Sequence, residues 1–176
     1  NHQLKRLYQS GFACGGVAIG DLNGDGLPEI FLANGPGSNR LYQQKAAFKF
    51  NDITTAAGVS GGADWAAGVT FVDIEGEGGI DIYVCNYDSP NSLFLNESKG
   101  GNFLFRETAE KFGLDLVDAC LMPAFCDFDN DGDLDCWVLT NGLSRAEGRP
   151  ETPPFIKDST TGKVTVRPEF SRYYEI

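Results

Sequence analysis

Apolar residues in this chain come in short runs, each ended by glycine, asparagine or aspartate, and runs of that length predict strands rather than helices. Residues 15–20 read as a strand of small side chains, 30–34 as a second strand, 40–43 as a third and 48–53 as a fourth. A turn at 35–38 separates the second from the third, and Ala56, Ala57, Gly58 and Val59 lead out. The same order then returns, with strands at 67–72, 82–86, 92–95 and 103–108 and a connector at 112–114. It begins a third time at 122–126 and 136–140 and then breaks.

Between the first and second strand of every unit lies a nine-residue acidic loop: 21–29, 73–81 and 127–135. The loop starts are 52 (73 − 21) and 54 (127 − 73) residues apart. Four strands at a period of about fifty residues predict an all-β fold built of β-propeller blades, each of four antiparallel strands. Small residues in each first strand suit an innermost strand, where neighbouring blades converge. The division expected is 1–14 as a lead-in strand, 15–60 as blade 1, 61–117 as blade 2, 118–141 as the start of blade 3, and 142–176 as an insertion or irregular extension of that blade. In this last segment residues 155–157 and 163–166 can pair as a small hairpin. It is either a plain surface excursion or, as with many insertions on regular scaffolds, the carrier of a specific function. Three units cannot close a propeller, which needs at least four blades, and an open stack exposes two apolar faces and a sheet edge. The chain therefore reads as part of a longer protein, or as one whose missing blades come from elsewhere.

The loops also account for the charge. The chain has 176 residues and a net charge of −11, and the three loops hold 12 of its 25 acids. Such crowding is tolerated when a hard cation sits among the carboxylates, and calcium, which takes six to eight oxygen ligands in flexible geometry, fits best. In the third loop Asp127, Asp129 and Asp131 hold positions 1, 3 and 5. Asp133 offers its backbone carbonyl at position 7 and Asp135 closes the cage at position 9. The first loop supplies Asp21, Asn23, Asp25, Leu27 (by its carbonyl) and Glu29; the second supplies Asp73, Glu75, Glu77 and Asp81, with longer acids and extra glycine. Two to three calcium ions are expected, the second loop binding weakly or not at all; the alternative for any loop is a solvated acidic turn. An EF-hand is excluded, because its glutamate at position 12 is replaced by Leu32, Val84 and Val138 and its flanking helices by strands.

No basic stripe is present to neutralise phosphates, which argues against nucleic acid as a partner. No apolar run approaches the roughly 18 residues of a membrane-spanning helix. Five cysteines are present. Cys126 and Cys136 bracket the third loop as cross-strand neighbours, either bridged or, as the strict geometry of a disulfide favours, two buried thiols. Asn96, Glu97 and Ser98 form a glycosylation sequon, meaningful in a eukaryotic source.

Residues 16–35, with their Gly-Val-Ala-Ile-Gly opening, acidic loop and Ile-Phe-Leu-Ala-Asn-Gly close, resemble an FG-GAP (VCBS) repeat, the blade of integrin-alpha-type propellers. Asn39, Arg40, Leu41 and Tyr42, followed by Phe50, Asn51, Asp52, Ile53 and Thr54 and by Ala57, Gly58 and Val59, resemble exported proteins of the ASPIC/UnbV (cartilage acidic protein-like) group. The resemblance covers residues 12–141 and implies a seven-bladed propeller with calcium in the loop joining a blade's first two strands. The function expected is an exported module with structural calcium that mediates adhesion by binding a protein or a glycan through blade-top loops such as 35–39 and 87–91 and through 142–176. Millimolar calcium outside cells places it in an extracellular, periplasmic or cell-surface setting. Two alternatives stand beside it. One is a polysaccharide lyase-like enzyme, although no acid–base constellation is legible: His2 is near the start, and Arg172, Tyr173 and Tyr174 read as strand residues. The other is an accessory subunit of a larger assembly.

Overall fold

The computed structural model describes residues 15–35 and 37–140, together with 155–157, 160 and 164–168. The first acidic loop folds the chain back between β1 (Gly16–Gly20) and β2 (Glu29–Ala33), and β3 (Arg40–Ala46) and β4 (Lys49–Asp52) follow by antiparallel pairing, in the order β1-β2-β3-β4. In place of a plain connector comes one helical turn, α1 (Thr54–Ala57). The Asp52 carboxylate accepts from the Thr54 N–H at 3.0 Å and starts it. Gly58, at φ 79°, stops it in the left-handed conformation that glycine adopts without penalty.

The second unit repeats this. β5 (Trp65–Val72), β6 (Asp81–Pro90), β7 (Ser92–Asn96) and β8 (Phe105–Glu107) are antiparallel neighbours, and α2 (Ala109–Phe112) ends at Gly113. The Glu107 carboxylate takes the part of Asp52, accepting from the Ala109 N–H at 3.0 Å. β9 (Val117–Cys126) and β10 (Asp135–Thr140) open the third unit. One feature departs from four strands per unit: β6 does not end at Asn86 but continues to Pro90, and this extension pairs with β9, Tyr87 opposite Ala119 and Pro90 opposite Val117. The result is a six-stranded sheet, β10-β9-β6-β7-β8, with β5 also on β6. The stretch 87–91 is therefore not a projecting loop, and Tyr87 and Asn91 are buried.

Alternation of side chains along β6 builds two cores. Ile82 and Val84 face the first sheet and join Leu22, Phe31, Ala33, Leu41, Val69, Phe94 and Phe105. Tyr83 and Cys85 face β9 and β10 and join Leu93, Leu95, Ala109 and Cys120, with Phe125 and Val138 packed on them. Four consecutive residues, Ile82 to Cys85, are thus wholly buried, the pattern of a strand covered on both faces. The first strands lie side by side. A Cβ at Gly68 would run into the Leu121 carbonyl oxygen, so a larger side chain is excluded there, and one at Gly16 would meet Gly68 Cα at 3.2 Å, a tight fit. The Gly15 N–H donates to the Ala66 carbonyl at 3.0 Å across the same contact. The fold is all-β, in one four-stranded and one six-stranded antiparallel sheet, with two short helices among the described residues of the first compact unit, residues 1–141.

In the second unit, residues 142–176, β11 (Phe155–Lys157) and β12 (Val164–Val166) form the antiparallel hairpin expected, Ile156 opposite Thr165.

Candidate metal centre

All three acidic loops close in the same way. The acid at position 1 gathers the backbone N–H groups of the turn. Asp21 accepts from Gly24 (2.8 Å), Asp25 (3.2 Å) and Gly26 (2.7 Å), Asp73 from Glu77 (3.1 Å) and Gly78 (2.7 Å), and Asp127 from Asp131 (3.1 Å) and Gly132 (3.2 Å). The acid at position 9 reaches back to the N–H of position 2: Glu29 to Leu22 at 3.0 Å, Asp81 to Ile74 at 3.0 Å, and Asp135 to Phe128 at 2.8 Å. Gly132, at φ 98°, makes the third loop's bend, and Asn130 also lies in the left-handed region at φ 62°. The hydrogen bond from Gly26, before the others, holds the Asp21 carboxyl below its ordinary range.

The rest of each loop differs. In the third, Asp127, Asp129 and Asp135 each direct one carboxylate oxygen into a group whose members lie within 4.8 Å of one another. Among the described residues this is the one cluster of three or more His, Cys, Asp or Glu that closes so tightly. Asp131 lies outside it, its oxygen taken by the Asp133 N–H at 2.9 Å. In the first loop, Asn23 donates to the Asp25 carboxylate at 3.0 Å, and Asp25 accepts from the Leu27 N–H at 2.8 Å. Glu29 is fully buried, 0% exposed, and its Oε1 has no hydrogen-bond partner. Burial raises its carboxyl above the ordinary value, as do the nearby Asp25 and Asp21 charges, opposed by the backbone N–H groups of Leu22 and, at longer range than a hydrogen bond, Gln44. In the second loop both oxygens of the buried Asp81 are taken, Oδ2 by Ile74 and Oδ1 by the Asn96 N–H at 2.8 Å, while Glu75 and Glu77 are exposed. Burial raises Asp81 as well.

Asn96 is the residue that motif spacing misses. Its side-chain amide donates to the Leu22 carbonyl of the first loop at 3.1 Å and to the Ile80 carbonyl of the second at 3.0 Å. The sequon thus falls on an amide whose two N–H bonds tie neighbouring loops together. A cleft of about 300 Å³ runs beside it, lined by Asp21, Asn23, Gly79, Asn96, Ser98 and Lys99.

Cys126 lies opposite Asp135, and Cys136 opposite Phe125. Successive residues of a strand point to opposite faces, so these two thiols do too, and Cys85, Cys120, Cys126 and Cys136 are all free. Burial pushes Cys85, Cys120 and Cys136 up, the last to about 11. His2, Cys14, Arg172, Tyr173 and Tyr174 lie outside the described residues. Among those described, no helix is long and apolar enough to cross a membrane.

The family model for the FG-GAP-like repeat matches residues 21–84 and 73–138, each match opening on the first aspartate of an acidic loop. The chain belongs to the FG-GAP-like repeat family. Each matched FG-GAP-like repeat runs through one acidic loop and ends in the strand after the next, so consecutive matches overlap on the shared loop. The chain is also 30% identical over 159 residues to cartilage acidic protein 1 of Xenopus tropicalis, which covers 85% of this chain and 24% of that protein. It is 29% identical over 156 residues to human cartilage acidic protein 1, covering 84% of this chain and 23% of that one. The chain thus spans about a quarter of the length of these relatives. They agree with the ASPIC/UnbV resemblance carried by residues 39–59.

Proposed function

We propose that this chain is a calcium-stabilised module of an exported binding protein. The observation that carries this reading is the convergence of Asp127, Asp129 and Asp135, three carboxylates whose mutual repulsion a hard cation relieves. A second observation supports the first loop. The buried Glu29 Oε1 has no donor, a costly state for a charged group unless a cation or proton joins it. Asp127, Asp129, Asp131, Asp135 and the Asp133 carbonyl would hold one ion, and Asp21, Asn23, Asp25, Glu29 and the Leu27 carbonyl another. Both oxygens of the buried Asp81 already accept an N–H, its neighbours Glu75 and Glu77 are exposed, and among the described residues no third carboxylate closes on it as in the third loop, so the reading favours two ions over three. When bound, calcium neutralises the loop and adds its binding energy to folding.

The finer architecture in this reading is a seven-bladed propeller with β1, β5 and β9 nearest its axis, supported by their close approach at Gly16 and Gly68. The partner is a protein or a glycan, met by exposed loop surfaces in an adhesive or larger assembly. An extracellular setting is supported by the millimolar calcium that such loops need and by relatives named for cartilage. The test is thermal melting in millimolar calcium and in chelator, beside a calcium-binding isotherm. A strong calcium-dependent rise with two bound ions is expected. No binding and an unchanged melt would overturn both the metal and the argument for export.

A further inference from the structure

We propose that Asn96 is a positioning residue for the first metal loop, so that loop 21–29 is a complete site only when two successive repeats are packed together. This deepens the calcium reading and rests on it for that loop. The observation is a chain of hydrogen bonds that crosses from one repeat to the next. Leu22, at position 2 of the first loop, stands between the candidate ligands Asp21 and Asn23, and both polar groups of its backbone are held. Its N–H donates to Glu29 at 3.0 Å, and its carbonyl accepts from the Asn96 side chain at 3.1 Å. Its side chain is buried in the first core, so the peptide joining it to Asn23 has little freedom. The first of these holds comes from the loop's own repeat. The second comes from the end of β7, in the repeat that follows.

Asn96 is itself fixed. Its main-chain N–H donates to Asp81 at 2.8 Å, its side-chain oxygen accepts from the Ser98 N–H at 3.0 Å, and the second hydrogen of its amide goes to the Ile80 carbonyl at 3.0 Å. Asp81 in turn closes the second loop through the Ile74 N–H. An amide constrained in this way holds the Leu22 carbonyl in one place. The first two loops are thus joined by a residue that is a candidate ligand in neither. Partners of this kind orient a metal's ligands, and their loss typically lowers metal affinity by about 10–100-fold. The coupling is reciprocal: an ion that binds more tightly to the clasped loop strengthens the clasp by the same factor. Calcium in the first loop therefore tightens the seam between the first and second sheets. The hydrogen bonds of Asn96 described above go to the first two loops and its own turn, so the third loop serves as an internal control.

The test is calcium titration of the 176-residue chain in two backgrounds. Asp135→Asn removes the third site, so the isotherm reads the first loop; Glu29→Gln removes the first, so it reads the third. Asn96→Ala is expected to lower calcium affinity about 10–100-fold in the first background and to leave it unchanged in the second. A residue that merely supported the fold would lower the melting temperature equally in calcium and in chelator, whereas a positioning residue loses more in calcium. Circular dichroism checks that each variant keeps its fold. Should Asn96→Ala fail to fold, hydrogen exchange of the Asp135→Asn protein reads the same coupling without it. Calcium is then expected to slow the main-chain amides of Ile74 and Asn96, which lie across the seam from the loaded loop. A first loop that binds calcium equally well in the Asn96→Ala protein, or that loads without slowing those two amides, would overturn the proposal and leave the calcium reading standing. An Asp135→Asn protein that binds no calcium would overturn the reading of the first loop and this proposal with it.

Discussion

Replacing Glu29 by glutamine separates the two roles that the first loop gives this carboxylate. Its Oε2 holds the Leu22 N–H, a bond the glutamine oxygen can keep, while Oε1 is buried without a donor. Without metal, one oxygen of the buried Glu29 carboxyl is left unsatisfied, a burden of about 1–3 kcal/mol. A chain of this size changes its melting temperature by about 2–4 °C per kcal/mol, so in chelator Glu29→Gln should melt roughly 2–12 °C above wild type. In calcium at a hundred times the dissociation constant, a site contributes about 2.7 kcal/mol, or roughly 5–11 °C, and the variant forfeits most of this for the first loop. The order of the two melting curves should therefore cross, the variant higher in chelator and the wild type higher in calcium. Differential scanning calorimetry of both proteins in both buffers reads this directly. A variant less stable in chelator, with a calcium increment equal to that of wild type, would refute the reasoning: Glu29 would then serve only as an acceptor for Leu22.

Other substitutions probe the remaining features. Asp129→Asn or Asp135→Asn should remove one ion from the isotherm, whereas Glu75→Gln should leave the count unchanged. Gly68→Ala should cost about 3 kcal/mol or more in urea unfolding, because its methyl group meets the backbone oxygen of Leu121 and neither strand can retreat, while Gly76→Ala, at φ 68° in open space, should cost about 1 kcal/mol. Asn96→Asp should lose about 2–3 kcal/mol by breaking the bonds to Leu22 and Ile80 and setting a second carboxylate beside Asp81, and the native protein should resist glycan transfer at this sequon. Alkylation of the folded chain near pH 8, followed by peptide mapping, should label the exposed Cys126 and spare Cys85 and Cys120, whose burial holds them as thiols; equal labelling of all three would contradict the packing.

The repeat of short apolar runs made the strands legible from the residues alone, because a strand covered on one or both faces has to show its alternation locally. The loops were equally legible, since position 1 and position 9 do their work within nine residues. What escaped depends on distant partners. Residues 87–91 read as a blade-top loop, yet β6 continues through them, with a bulge at Asp88 (φ 57°), because β9, some thirty residues on, supplies the ladder. Glu29 reads as the ligand that closes the first loop, but that its carboxyl is fully buried shows only in the fold. Asn96 reads as a sequon because the Leu22 carbonyl it grips lies 74 residues away. The one-turn helices α1 and α2 are too short to show a period, although the acid two residues before each and the glycine after it mark their limits.

β6 belongs to three ladders at once, with β5 along its first seven residues, with β7 from Ile82 to Val84 and with β9 along its last four. This makes the stack mechanically unequal. The second sheet and the β9–β10 hairpin are sewn together by backbone hydrogen bonds through a single strand. The first sheet is held to the second by apolar contact, the Gly15–Ala66 bond and the Asn96 clasp. Under load or in mild denaturant the first sheet should peel away as a piece, its amide hydrogens exchanging through that opening while those of β6 wait for the whole domain to come apart.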